Sequence, residues 1–353
     1  ELNFFSLIAT FPLNKNQDIY NRMLYYNLEV RMSNNFLSMT SALALSAGIA
    51  VADVPKVAVD IAPVHSLVSK VMNGLGEPSL IIPAEASPHE YQLRPSEAKA
   101  LQEAKLVFWI GEEIETFLEK PLGSIAIRAR KISFMESDDI QKLKFRENSI
   151  FDEHDDHDDH KEHDDHDDHE EHDDHDKHDD HGHHHGEFDS HIWLDPINAK
   201  EIVSIIADEL SLIDPSNKSK YIENAKSTAT QLDNLIRETE KTLDKDISYV
   251  VFHDAYQYFE ERFNVAASGA LTLNTDVLPG ARQIMNIREL IEDKNISCIL
   301  SEPQFNPKII ETIAEDTNIK TGVLDPLGAT IPSGKDQYFL LIDDLAASLE
   351  KCS

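Results

Sequence analysis

The sequence predicts an α/β fold of two lobes, each with a parallel sheet flanked by helices, joined by one long linking helix. Short apolar or β-branched runs recur with helix-like stretches between them, the alternation expected of α/β units. A long tract of helical periodicity separates these runs into two sets. At 353 residues and 41% apolar content, the chain is long enough for two core-forming domains.

In chain order, the first set is "KVAVDI" (56–61), "SLIIP" (79–83) and "KLVFWI" (105–110), interleaved with helical stretches such as "RPSEAKALQEA". These runs define an N-terminal lobe over 53–213. Residues 214–246 follow, in which Tyr221, Ala225, Thr228, Leu232, Leu235, Ile236, Thr239 and Leu243 fall at helical spacing, with Pro215 and Ser216 near the start. A rod of this length, roughly 45 Å at 1.5 Å per residue, outreaches one small domain and suits a helix spanning two lobes. The second set is "YVVF" (249–252), "SCIL" (297–300) and "TGVL" (321–324), in a C-terminal lobe over 247–353.

Ahead of the lobes, "MSNNFLSMTSALALSAGIAVADVPKVAV" begins at Met32. Its apolar run over 36–51, followed by the small residues Ala50 and Ala52, predicts a secretory signal peptide over 32–52 cleaved before Asp53. That run is too short for a comfortable membrane span. Residues 1–31 precede a plausible initiator, show no clear period and read as an upstream extension.

The formal net charge is −33, and 152–187 alone hold 19 Asp and Glu against 2 Lys. Nucleic acid is therefore excluded as a partner. Within that tract His154, His157, His160, His163, His166, His169, His172, His175, His178 and His181 recur at every third residue, followed by His183, His184 and His185. A step of three forms no single face on an α-helix, and dense Asp repels itself, so the tract predicts a disordered loop with many weak, interchangeable metal sites. Ordering such a segment costs affinity, which points to a primary site elsewhere.

Outside the loop four histidines remain: His65, His89, His191 and His253. His89 follows "SLIIPAEASP", His191 precedes "IWLDP", and His253 ends "YVVF". These are loop or strand-end positions, where open α/β sheets bind ligands. Glu302 and Asp325 end strands in the second half. A lone histidine is more often structural than a ligand, but three imidazoles and two carboxylates at such ends form a candidate cleft site. His65 precedes a helix-like stretch and has the blander role of a polar or surface group. Asp254 adjoins His253 and could orient an imidazole or cap a helix. Cys298 and Cys352 leave two readings open, one disulfide in an oxidising compartment or two thiols.

The motifs "SPHEYQLRPSEAKAL", "SHIWLDPINAK", "VVFHDAYQYFEERF" and "SEPQFNPKIIE", in this order around an acidic histidine-rich insertion, resemble the ZnuA-type periplasmic zinc-binding proteins of bacterial ABC importers. The likeness covers roughly 55–353. It implies a soluble, monomeric carrier that captures Zn²⁺ in the periplasm for a membrane permease, with metal held by His89, His191 and His253. Pro88 stands where some members carry Glu, so Asp325 or water completes the shell, and Glu302 and Asp254 are candidates to orient ligands. Manganese-type relatives carry Glu at the position of His253, so imidazole here favours Zn²⁺. Cys298 and Cys352 match a disulfide of the zinc-type members. Two other functions stay open: zinc storage centred on the loop, and a zinc hydrolase. The second lacks an H-E-x-x-H motif and any clear base beyond Glu302.

Overall fold

A computed structural model describes residues 54–151, 186–273, 275, 279–317 and 319–352. The expected signal peptide, the extension at 1–31 and the thirteen loop histidines lie outside the described residues. The described chain contains two four-stranded parallel sheets. The first is built from β1 (Val57–Val59), β2 (Ser79–Leu80), β3 (Leu106–Trp109) and β4 (Arg130–Ser133), in spatial order β2-β1-β3-β4. Helices α1 (Ala62–Val71), α2 (Pro95–Glu103) and α3 (Glu119–Ser124) alternate with these strands.

Two long helices follow, α4 (Pro196–Ile213) and α5 (Lys218–Thr242), packed side by side. The linking helix is shorter than the periodicity suggests. Its first residues, Pro215–Asn217, take a 3₁₀ turn, because proline at the start of a helix suits a tight first turn. The remaining 25 residues make about 37 Å at 1.5 Å per residue. The second sheet then has β5 (Tyr249–His253), β6 (Gly269–Thr272), β7 (Cys298–Ser301) and β8 (Lys320–Val323), ordered β6-β5-β7-β8. Its helices are α6 (Gln257–Phe263), α7 (Ala281–Asp293), α8 (Lys308–Thr317) and α9 (Gln337–Glu350).

Two strands have no counterpart among the expected runs. β4 begins Arg-Lys and lies exposed at one sheet edge, where no apolar signal is required. β6 begins at Gly269, whose lack of a Cβ admits the carbonyl oxygen of Ser149 to within 2.7 Å of where a Cβ would sit. The sheets are covered on both faces, as parallel sheets must be. In β5, Tyr249 and Val251 join the main core while Val250 and Phe252 join a second core beneath α7 and α8, the two-residue period of a strand.

α9 does not stay with the second sheet: it packs against α1 and α5, and Tyr338 donates its hydroxyl to the Trp193 carbonyl at 2.8 Å. A disulfide between Cys298 and Cys352, with Cα atoms 5.3 Å apart, ties its end back to β7. Closing that 54-residue separation removes loop entropy from the unfolded chain, worth about 4 kcal/mol in the chain-entropy treatment.

Both sheets reverse strand order between their first and third strands, the crevice where α/β folds place polar groups. In the first sheet a carboxyl pair fills it. Asp60 accepts from the amides of Ile61 at 2.6 Å and Ile110 at 2.5 Å, and the buried Glu115 donates to it. Burial pushes the Asp60 carboxyl up to about 7 and Glu115 well above the ordinary range, so one proton is retained between them.

Groups whose folded-state affinity for protons is raised stabilise the fold at acidic pH and lose that contribution as pH rises through about 7. Glu115→Gln, which keeps a donor without titrating, should raise the melting temperature relative to the parent more at pH 8 than at pH 5. Reducing the disulfide should lower the melting temperature by several degrees while metal stoichiometry stays unchanged, which calorimetry with metal titration checks.

Candidate metal centre

His253 is the last residue of β5, and the chain turns immediately beyond it. Its Nδ1 lies 2.7 Å from Glu302 Oε1, and its backbone amide donates to the same oxygen at 3.2 Å. Glu302 follows β7, so the pair occupies the strand-order reversal of the second sheet. His191 is built the same way from a different local motif. Asp189 Oδ1 accepts from the amide of His191 at 3.0 Å and sits 2.7 Å from its Nδ1. Both imidazoles and both carboxylates are buried, with relative exposures of 4%, 3%, 1% and 2% for His191, His253, Asp189 and Glu302.

A carboxylate at Nδ1 holds the ring proton there and leaves the Nε2 lone pair for a cation, the arrangement found behind metal-bound histidines. Here the Nε2 atoms of His191 and His253 face each other at 3.3 Å. With the ring protons on the carboxylate side, two lone pairs meet, an approach that a cation shared between them makes favourable. Ligands about 2.0–2.1 Å from a tetrahedral Zn²⁺ lie about 3.3–3.4 Å apart. The observed separation matches that edge.

His89 completes the group. It sits on the segment between β2 and α2, its amide donating to Ser87 Oγ at 3.3 Å. Its ring centroid lies 5.5 Å from that of His191 and 5.7 Å from that of His253. One ligand atom from each of the three imidazoles falls within 4.8 Å of the others. Pro88, Trp193, Phe305, Pro326 and Leu327 line the cleft around them, apolar walls that exclude water and strengthen electrostatic attraction inside.

Asp325 stands outside this group, and its oxygens are already used. Oδ1 accepts from the amides of Leu327 and Gly328, each at 3.0 Å, and from Gln304 Nε2 at 2.9 Å, while Oδ2 accepts from the Ala329 amide at 2.5 Å. Gly328, at φ +72°, gives the loop the left-handed turn that aims successive amides at one carboxylate. Among the described residues, Asp254 is bonded to no imidazole and caps no helix; it pairs with Arg146 at 2.7 Å. His65 stays clear of the cluster but lies buried rather than at the surface, its Nε2 meeting the Pro78 carbonyl at 3.1 Å. The residue missed in the sequence is Asp189. Its only signal was the Asp-x-His spacing in "DSHIW", at the edge of a tract already crowded with Asp.

The family model described as "Zinc-uptake complex component A periplasmic" matches residues 57–352. The high-affinity zinc uptake system protein ZnuA of Brucella abortus (strain 2308) is 46% identical over 303 residues, covering 84% of this chain and 91% of that protein. Its namesake in Yersinia pestis is 35% identical over 303 residues, covering 84% and 90%. Among solved structures, the 138-173 ZnuA deletion mutant with zinc bound superposes with a TM-score of 0.64 at 22% identity, covering 84% of this chain and 98% of that one. The laminin-binding protein Lmb of Streptococcus agalactiae reaches 0.62 at 22% identity, covering 84% and 97%. At such identities the structural likeness speaks for the fold alone.

Removing the carboxylate behind a ligating imidazole typically costs 10- to 100-fold in metal affinity. Glu302→Gln and Asp189→Asn should each weaken binding by about that factor without abolishing the one-to-one stoichiometry, as isothermal titration would register.

Proposed function

The chain belongs to the family of periplasmic zinc-uptake component A proteins, and from that premise we propose that His89, His191 and His253 are the residues that capture Zn²⁺ for delivery to a membrane permease of an ABC importer. The observation that carries this reading is the 3.3 Å approach of two carboxylate-backed imidazole nitrogens, one from each half of the chain. Three neutral imidazoles suit a borderline-soft ion that accepts four ligands better than a hard octahedral one, which favours zinc over manganese. The fourth position goes to water, since the oxygens of Asp325 are held by three backbone amides and Gln304.

The protein acts by binding and release rather than turnover. Glu302, the base a hydrolytic reading would nominate, supports His253 instead. Residues 32–52 serve as the export signal, the carrier works as a monomer, and the histidine-rich loop is an auxiliary weak zinc-binding segment. A storage role centred on that loop would require several sites of similar strength, whereas the preorganised cleft supports one dominant site. Among the described residues, no helix is long and apolar enough to cross a membrane.

Zinc titration with and without 152–187 tests the assignment: one tight site should survive the deletion and the weaker ones disappear. Loss of the tight site with the loop would overturn it. A ligand specific for the folded state stabilises it by about 4 kcal/mol at a thousandfold excess over Kd. On the deleted background, zinc should therefore raise the melting temperature of the parent, of His65→Ala and of Asp325→Asn by several degrees, and much less that of His89→Ala, His191→Ala or His253→Ala. Equal shifts in all variants would refute the ligand set.

A further inference from the structure

The segment between β4 and the histidine-rich tract does more than lead into it. Residues 143–145 pair with 187–189: Lys144 bridges Phe188, Phe145 donates its amide to the Glu187 carbonyl, and the Asp189 amide donates to Leu143. A few residues on, the same segment crosses to the other half and adds itself to the edge of the second sheet. Ile150 bridges Gly269, the Phe151 amide donates to Ser268 at 3.0 Å, and Ala270 donates to Ser149 at 2.8 Å. One end of this strap is therefore zipped to Asp189, which holds His191. The other is docked on β6, the strand that pairs with β5, which ends in His253.

Arg146 sits between the two attachments. Its guanidinium gives Nη1 to Asp254 at 2.7 Å and Nη2 to Glu260 at 2.6 Å, and stacks 4.0 Å from the centre of the Phe151 ring. Both carboxylates are buried, with side-chain exposures of 3% and 2%. Asp254 adjoins His253, and Asp189 lies close enough to both carboxylates to repel them. The guanidinium thus fastens the strap, which leads from the Asp189–His191 side, to two buried carboxylates of the second half, one of them next to His253. Without it those carboxylates lose their counter-charge and the strap loses its hold on that half.

We propose that Arg146 is a positioning residue for zinc retention, the anchor of a cross-lobe strap that keeps His191 and His253 at ligand distance and must yield when the ion is released. This rests on the zinc reading above. The experiment loads the full chain with one zinc per molecule and follows transfer to an excess of a chelating dye by stopped flow. The parent should show a slow phase that His191→Ala removes; a slow phase that survives His191→Ala would sink the zinc reading itself, and the strap with it.

Arg146→Met should release zinc at least tenfold faster, with Arg146→Lys in between, because an ammonium is a point charge that cannot fork to two carboxylates. Arg262→Met is the structural control. It breaks an equally close cross-lobe pair, Arg262 to Asp195 at 2.7 Å, neither of whose partners adjoins a ligating histidine in the chain, so release should stay within threefold of the parent. If Arg146→Met does not fold, Gly269→Ala disturbs the strap from the far side. Its Cβ would lie 2.7 Å from the Ser149 carbonyl oxygen and should speed release too. With the parent's slow phase intact, release from Arg146→Met within twofold of the parent or equal to that of Arg262→Met, or unchanged release from Gly269→Ala where that variant stands in, overturns the proposal.

Discussion

Two imidazole nitrogens face each other at 3.3 Å across the meeting point of two sheets, each with its proton pinned to a buried carboxylate on the far side of its ring. Bare lone pairs do not hold that distance by themselves, so the surrounding structure must. The two halves do so through side chains that reach across to backbone carbonyls. Trp193, two residues beyond His191, gives its indole N–H to the Pro326 carbonyl at 2.9 Å. Gln304, two beyond Glu302, donates to the carbonyl of Ala84 at 2.9 Å, on the segment that carries His89. A carbonyl partner is insensitive to sequence, so these ties fix position without adding charge to a cleft that must accept a cation.

Charge is managed one layer further out. Asp189 and Glu302 lie against the imidazoles, and Asp254 and Glu260 are buried close by, which amounts to several carboxylates in a small volume. An incoming dication is welcome there, and the same charges repel one another when no ion is present. Arg146 neutralises part of that excess from within the protein. Breaking such a buried pair leaves uncompensated charge, which is why single replacements in this layer reach further than their distance from the ion suggests.

The first sheet solves the same topological problem with a proton. At its strand-order reversal, Asp60 and Glu115 share one hydrogen where the second sheet places His253 and Glu302. The crevice rule for α/β sheets therefore identified where polar groups gather in both halves, while only one of the two crevices carries an imidazole. The third imidazole, His89, comes from the segment beyond the edge strand β2 and meets the other two in the cleft.

Hydrophobic periodicity and residue type determined the α/β class, the linking helix and six of the eight strands; the four central ones, β1, β3, β5 and β7, are apolar because a strand covered on both faces must be. Of the edge strands, β2 and β8 showed in apolar runs, whereas β4 begins with exposed basic residues and β6 with a glycine that makes room for a neighbouring backbone. The three imidazoles were legible as a group from their places in the chain. Their carboxylate supports were only half legible. Glu302 marks a strand end, but Asp189 sits in an acidic run where one Asp looks like the next. Asp325 and Asp254 show the limit most plainly, since both have the chemistry of a ligand or its support, and neighbouring amides and Arg146 claim them instead. Sequence lists which groups can donate electron pairs. Only the packed structure decides which are already satisfied, because that depends on backbone amides and a guanidinium brought in from distant parts of the chain.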